Sequence, residues 1–131
     1  MGRVIWFVAA VLLVVAFAMN AQEKGKKKSE KETTVKGEVV DVACYIAHGA
    51  KGEKHKDCAE ECAKAGGALG ILTADGKLYV SLLPDDHQSG PNAILMDHIA
   101  DQVQATGFVR SKGGVNAIMI KSVATAEAEK K

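Results

Sequence analysis

Five residues with metal-binding side chains fall within one stretch of the sequence: Cys44, Cys58 and Cys62, with His48 and His55 between them. Thiolates and imidazoles are ligands that suit Cu(I) and Zn(II), and three sulfurs with one nitrogen fit a trigonal or tetrahedral ion. We therefore predict a site for copper or zinc, with Cys58 and Cys62 as the primary ligands and Cys44 as the third. The nitrogen is expected from His55, three residues before Cys58, with His48 as the alternative.

The odd number of cysteines leaves other interpretations open. In an exported protein three thiols cannot all pair internally, so one disulfide with a free thiol, a thiolate metal site or a redox-active pair are each compatible with the sequence. A disulfide from Cys44 to Cys58 or Cys62 would pin this segment to the rest of the fold and contribute about 3 kcal/mol. The chain has no Cys-x-x-Cys motif, which counts against a thiol-disulfide exchange enzyme, and no Cys-x-x-Cys-His motif, so covalent haem is not indicated.

The second half of the cysteine segment carries the signals of a short helix. Asp57 and Glu60 form a pair typical of a capping box, and Gly66 provides a stop. Because Cys58 and Cys62 are four positions apart, both side chains project from one side of this helix. Cys58 lies in the first turn, where the helix dipole favours the thiolate.

A long strand is predicted before this segment, from Thr33 to Tyr45. The apolar positions change parity between Val39 and Val40, which predicts a bulge or a sharp coil at that point. Cys44 is then near the end of the strand. Glu38 and Asp41 alternate with apolar residues and are expected to face outward, rather than to form a catalytic pair of carboxylates.

Four further strands and one helix complete the pattern. The runs 68–73 and 77–83 flank Asp75-Gly76, a pair that favours a tight hairpin. Asn92 is expected to cap a short helix that ends near Ala100. Alternating residues from Val103 and from Val115 predict the last two strands.

These elements predict an all-β fold with short helices, namely a five-stranded OB-like Greek-key barrel with a Cys-containing helical insertion between strands 1 and 2. The barrel domain is assigned to residues 35–123 and a flexible tail to residues 124–131. Barrels of this kind often bind oligonucleotides or oligosaccharides. From residue 35 onward, however, the sequence has eleven basic and thirteen acidic residues, so no nucleic-acid partner is expected.

Several motifs resemble those of a group of small exported bacterial OB-fold-like proteins to which no function is assigned. They are residues 41–45 (DVACY), His55, residues 58–63 (CAEECA) and Gly66-Gly67. Residues 35–123 as a whole look like an OB-fold, and the narrower resemblance, carried by motifs between Gly37 and Leu72, implies a barrel and secretion, without an activity. The Cys58-x3-Cys62 spacing is also similar to the copper motif of the Sco copper chaperones.

The N-terminus is typical of an export signal. Arg3 precedes an unbroken apolar run from Val4 to Ala18, which is the length of a signal-peptide core and short of the ~20 residues of a spanning helix. Residues 1–21 are therefore predicted to be a cleaved secretory signal peptide, and residues 22–34, rich in Lys and Glu, a linker. Contact with a membrane is expected only if the N-terminal segment is uncleaved.

Together these features predict a periplasmic or secreted binding protein of the bacterial envelope, rather than an enzyme, with a Cys/His metal or redox site on the insertion. Its partner would be a metal ion or an envelope protein. The alternative is a disulfide-stabilised OB-like module that binds a protein or a glycan and in which the cysteines are purely structural.

Overall fold

The computed structural model describes residues 31–82 and 89–126. The predicted signal peptide, most of the linker and the last five residues lie outside the described residues. The elements, in chain order, are β1 (Thr33–Asp41), α1 (Val42–His48), a 3-10 turn (Glu53–His55), α2 (Lys56–Lys64), β2 (Leu69–Leu72), β3 (Leu78–Ser81), a second 3-10 turn (Met96–His98), β4 (Gln102–Lys112) and β5 (Val115–Thr125). Within the described ranges, no helix is long and apolar enough to cross a membrane.

The five strands form a closed barrel in the order β1-β2-β3-β5-β4. Neighbouring strands are antiparallel except for β3 and β5, which are parallel. The predicted OB-like barrel with a helical insertion between strands 1 and 2 is therefore confirmed. β1 begins at Thr33 and β5 ends at Thr125, so the strands extend two residues beyond each end of the predicted domain.

β1 closes the barrel by pairing with two partners in succession. Its first part pairs with β4 and its last part with β2, and Glu38 takes part in both pairings. The predicted continuation to Tyr45 is wrong, because the strand ends at Asp41 and a helix begins at Val42. The predicted bulge at Val39 and Val40 is also wrong: the register is continuous there, and the parity of the apolar residues changes because both faces of the strand end are buried.

The irregularity in the sheet lies instead between β4 and β5, at Thr106 and Gly107. A side chain at Gly107 would lie 2.0 Å from the carbonyl oxygen of Met119, so only glycine fits this close approach of two backbones. The predicted Asp75-Gly76 hairpin is confirmed, since β2 and β3 pair antiparallel around it and Gly76 has a φ of 82°.

The insertion packs on the barrel through the apolar side of α2. Ala59 and Ala63 are each 7% exposed and belong to the same core as Val39, Leu69 and Ile99. Burying small side chains brings the α2 backbone close to the barrel wall. The cysteine-bearing side of α2 thereby lies beside the end of β1.

Candidate metal centre

Asp41 positions the first cysteine. It is the last residue of β1 and the N-cap of α1, and its Oδ1 accepts the backbone N–H of Cys44 at 2.7 Å. Such a bond satisfies one of the free N–H groups at a helix start. Gly49, with a φ of 66°, ends α1 in a left-handed conformation. Cys44 is therefore held in the first turn of a seven-residue helix instead of at a strand end.

α2 positions the other two cysteines. It begins two residues earlier than the sequence indicates, with His55 as the N-cap and without a side-chain capping bond, so the expected capping box of Asp57 and Glu60 is wrong. Cys58 is the third residue of this helix and Cys62 is one turn further along. As predicted, both cysteines lie on one helix.

The three sulfurs form a compact cluster. The Sγ atoms of Cys44, Cys58 and Cys62 all lie within 4.8 Å of one another, and those of Cys44 and Cys62 are 3.8 Å apart. All three are free thiols, with Cys58 exposed and the other two half-buried. Sulfurs that share one ion at about 2.3 Å lie about 3.8 Å apart in a tetrahedral arrangement and about 4.0 Å apart in a trigonal one. The cluster is therefore compatible with a three-sulfur metal site and also with a structural role of its thiols.

Asp41 dominates the electrostatics of Cys44. The contact with the Asp41 side chain, with smaller effects of Cys62, burial and the carboxylate charge, raises the pKa of the Cys44 thiol from 9.0 to about 12. Asp41 itself is only 2% exposed, and within the part of the chain that the structure describes no hydrogen-bond partner lies near its Oδ2. The expectation that Asp41 faces outward is therefore wrong, because the turn from β1 into α1 carries its side chain inward.

The two predicted histidines line a cavity beside the sulfur cluster. This cavity has a volume of about 180 Å³, and its walls include His48, His55, Cys44 and Cys58. Both histidines are exposed. Neither belongs to the group of ligand atoms within 4.8 Å of one another, which among the described residues consists of the three cysteines alone. The structure thus brings the cysteines together and leaves the histidines at the cavity wall.

Asn92 and Gly67 were not predicted from the sequence to belong to the site, but both lie at the segment that joins α2 to β2 beside it. Asn92 was expected to cap a helix, but its Oδ1 accepts the N–H of Leu69 at 2.9 Å and its Nδ2 donates to the carbonyl of Gly67 at 2.6 Å. A side chain at Gly67 would lie 2.8 Å from the carbonyl oxygen of Cys62 and 3.0 Å from Oδ2 of Asp41. The Gly66-Gly67 pair was the available signal, since adjacent glycines often mark a close approach of backbone to another group.

Comparisons of the chain with protein-family models, with curated proteins and with solved structures found no match. The class of this protein therefore rests on its own fold and geometry. It is an OB-like barrel with an inserted pair of helices that carry a three-cysteine cluster.

Proposed function

We propose that this protein is an exported metal-binding protein whose three cysteines bind one soft ion, Cu(I) or Zn(II). The observation that carries the proposal is the spacing of the sulfurs, because Cys44, Cys58 and Cys62 lie within 4.8 Å of one another. Unlinked surface cysteines have no reason to converge from two helices. A shared ion gives such a reason, since it holds three thiolates at this separation.

The helix that carries two of the cysteines also suits thiolates that share a cation. Cys58 lies in the first turn of α2, where backbone N–H groups stabilise negative charge. Lys51 and Lys56 line the adjoining cavity and offset the charges of Glu38 and Asp41, which line it too. The cavity also gives an ion or its carrier a route to the sulfurs.

Export supplies the cellular context of the proposal. The apolar run from Val4 to Ala18 is typical of a signal peptide, so we place the mature protein in the periplasm or outside the cell. A thiolate metal site there would acquire copper or zinc from the envelope or from another envelope protein. We assign the chain a binding role rather than an enzymatic one.

A titration of the reduced full chain tests the proposal. With Cu(I) or Zn(II), we expect one ion per chain, and we expect Cys44→Ser, Cys58→Ser and Cys62→Ser each to weaken binding at least tenfold, because each removes one soft ligand. His98→Ala is the matched control, since His98 lies near Asp101, at 3.8 Å, and outside the cluster. Unchanged affinity in the Cys58→Ser, Cys62→Ser double variant would refute the metal site.

The competing role of the cluster is a structural disulfide. The sulfurs of Cys44 and Cys62 are 3.8 Å apart, so these two cysteines are the favoured pair. In that case the protein would be an interaction module for a protein or a glycan. Counting free thiols in protein purified from its native compartment separates the two roles. Three free thiols with a retained ion support the metal site, whereas one free thiol without an ion supports the disulfide.

A further inference from the structure

Asp41 carries a buried polar atom whose presence needs an explanation. The residue is 2% exposed, and its Oδ2 has no hydrogen-bond partner among residues 31–82 and 89–126. A buried carboxylate oxygen without a partner destabilises a fold, by roughly 1–3 kcal/mol or more for a charged group. The capping of α1 does not require this oxygen, because Oδ1 alone accepts the N–H of Cys44. Asn or Ser would cap the helix equally well.

The carboxylate lies beside the thiol cluster: Asp41 lines the same cavity as Cys44 and Cys58, and its Oδ1 accepts the backbone N–H of Cys44. A thiolate at Cys44 would place two negative groups side by side in this partly buried site. A cation between the two groups removes this repulsion and satisfies the free oxygen at the same time. The feature that is unfavourable in the metal-free protein is therefore favourable once an ion is bound.

We propose that the Asp41 carboxylate is the fourth ligand when the cluster binds a divalent ion such as Zn(II), which gives a set of three sulfurs and one oxygen. This inference rests on the proposed function. Tetrahedral Zn(II) takes four ligands and accepts carboxylate oxygen at about 2.0–2.2 Å, whereas Cu(I) is satisfied by three sulfurs. On binding, the three thiols release their protons to the buffer and Oδ2 donates a lone pair.

The site closes around the ion by movement of side chains. The Asp41 carboxylate is not in the group whose ligand atoms lie within 4.8 Å of one another. Cys58 is exposed and lies in the first turn of α2, so its side chain is free to turn toward the buried end of the cluster. His48 and His55 are outside the same group and exposed, so each satisfies its nitrogens in water without a metal.

The test compares Zn(II) and Cu(I) affinities of the reduced full chain with those of Asp41→Asn and Asp41→Ser. Both substitutions keep a side-chain cap for α1 and remove the anionic oxygen. We expect Zn(II) affinity to fall at least tenfold in both variants and Cu(I) affinity to change less than threefold. Thermal unfolding of the metal-free variants should occur at or above the wild-type temperature, because neither variant buries an unpartnered anionic oxygen.

Each alternative result has a defined meaning. Equal losses for both ions would overturn the inference, because Asp41 would then act only through the position and charge of Cys44. Unchanged Zn(II) affinity in the Asp41 variants, with a loss in His48→Ala or His55→Ala, would overturn it in favour of a nitrogen ligand. Absence of any ion binding in the wild type would refute the proposed function itself. That result is distinct from the two results above, which concern only the role of Asp41.

Discussion

The three cysteines of the cluster differ in their surroundings and therefore in their reactivity. Cys58 is exposed in the first turn of α2, whereas Cys44 is half-buried against Asp41, which raises its pKa to about 12. Only the thiolate is nucleophilic, and its fraction falls tenfold for each unit by which the pKa exceeds the pH. Chemical modification should therefore distinguish the two thiols.

The first prediction is that iodoacetamide at pH 8 alkylates Cys58 at least tenfold faster than Cys44. Cys58 is exposed, whereas the half-buried Cys44 thiol, with its pKa of about 12, is ionised to about one part in ten thousand at pH 8. The rates are read by mass spectrometry of peptides after short exposures. Raising the pH to 10 should increase the alkylation rate of Cys44 in proportion to the fraction of its thiol that is ionised. Equal initial rates for both cysteines at pH 8 would show that Asp41 does not protect the Cys44 thiol.

The sequence largely predicted which residues form the cluster, but it did not predict which residues surround them. The i, i+4 spacing of Cys58 and Cys62 requires that both lie on one side of a helix, and the odd cysteine count pointed to Cys44 as a third member. Asp41 was expected to face water, because its alternation with apolar neighbours matches a half-exposed strand. The strand ends at that residue, so alternation no longer determines which way its side chain points.

The link between α2 and β2, residues 65–68, determines how closely the sulfurs approach Asp41. Gly67 lies in this link, where a Cβ would lie 2.8 Å from the Cys62 carbonyl oxygen and 3.0 Å from Asp41 Oδ2, both closer than van der Waals contact. We predict that Gly67→Ala lowers the free energy of unfolding by about 1–3 kcal/mol. It should also weaken metal binding. Denaturant titration measures the first effect, and a competition titration measures the second.

Gly90→Ala is the matched control for this prediction. No atom lies within 4 Å of the position that its Cβ would occupy, and Gly90 does not require a left-handed conformation. Its stability and affinity should remain close to wild type. If Gly67→Ala behaved like Gly90→Ala in both measurements, the link would not constrain the cluster.

Asn92 fixes the same link through two side-chain hydrogen bonds. We predict that Asn92→Ala destabilises the fold by about 1–3 kcal/mol, because it leaves the N–H of Leu69 and the carbonyl of Gly67 without their partner. Asn116→Ala provides the comparison, since its bond with Ser111 is exposed and its loss should cost less than about 0.5 kcal/mol. Equal chemical-denaturation midpoints for the two variants would contradict this role of Asn92.

The strands of the barrel were easier to predict than the helices of the insertion. The Asp75-Gly76 hairpin and the runs of β4 and β5 follow from local turn chemistry and alternation, which act within a few residues. α1 was missed because residues 42–48 contain apolar side chains at strand-like spacing. Their helix is specified by the cap at Asp41 and the left-handed Gly49, which act at its two ends.

For the whole molecule, an ion that binds only the folded protein must stabilise it. At a free-ion concentration a hundred times the dissociation constant, the gain is about 2.7 kcal/mol. For a domain of this size that corresponds to an increase in Tm of about 10 °C or more. We predict such an increase for the reduced wild type with Zn(II), measured by calorimetry. The Cys58→Ser, Cys62→Ser double variant should show no comparable shift, and an equal shift in that variant would place the ion elsewhere.

The central claim is that three cysteines from two helices share one ion, and X-ray absorption at the metal edge of the loaded, reduced protein tests it most directly. With one equivalent of Zn(II) or Cu(I), the account predicts three sulfur neighbours at about 2.3 Å. A first shell made only of nitrogen and oxygen, or of one sulfur, would contradict it. The closeness of the free thiols, all within 4.8 Å of one another, would then reflect packing or a structural disulfide rather than a metal centre.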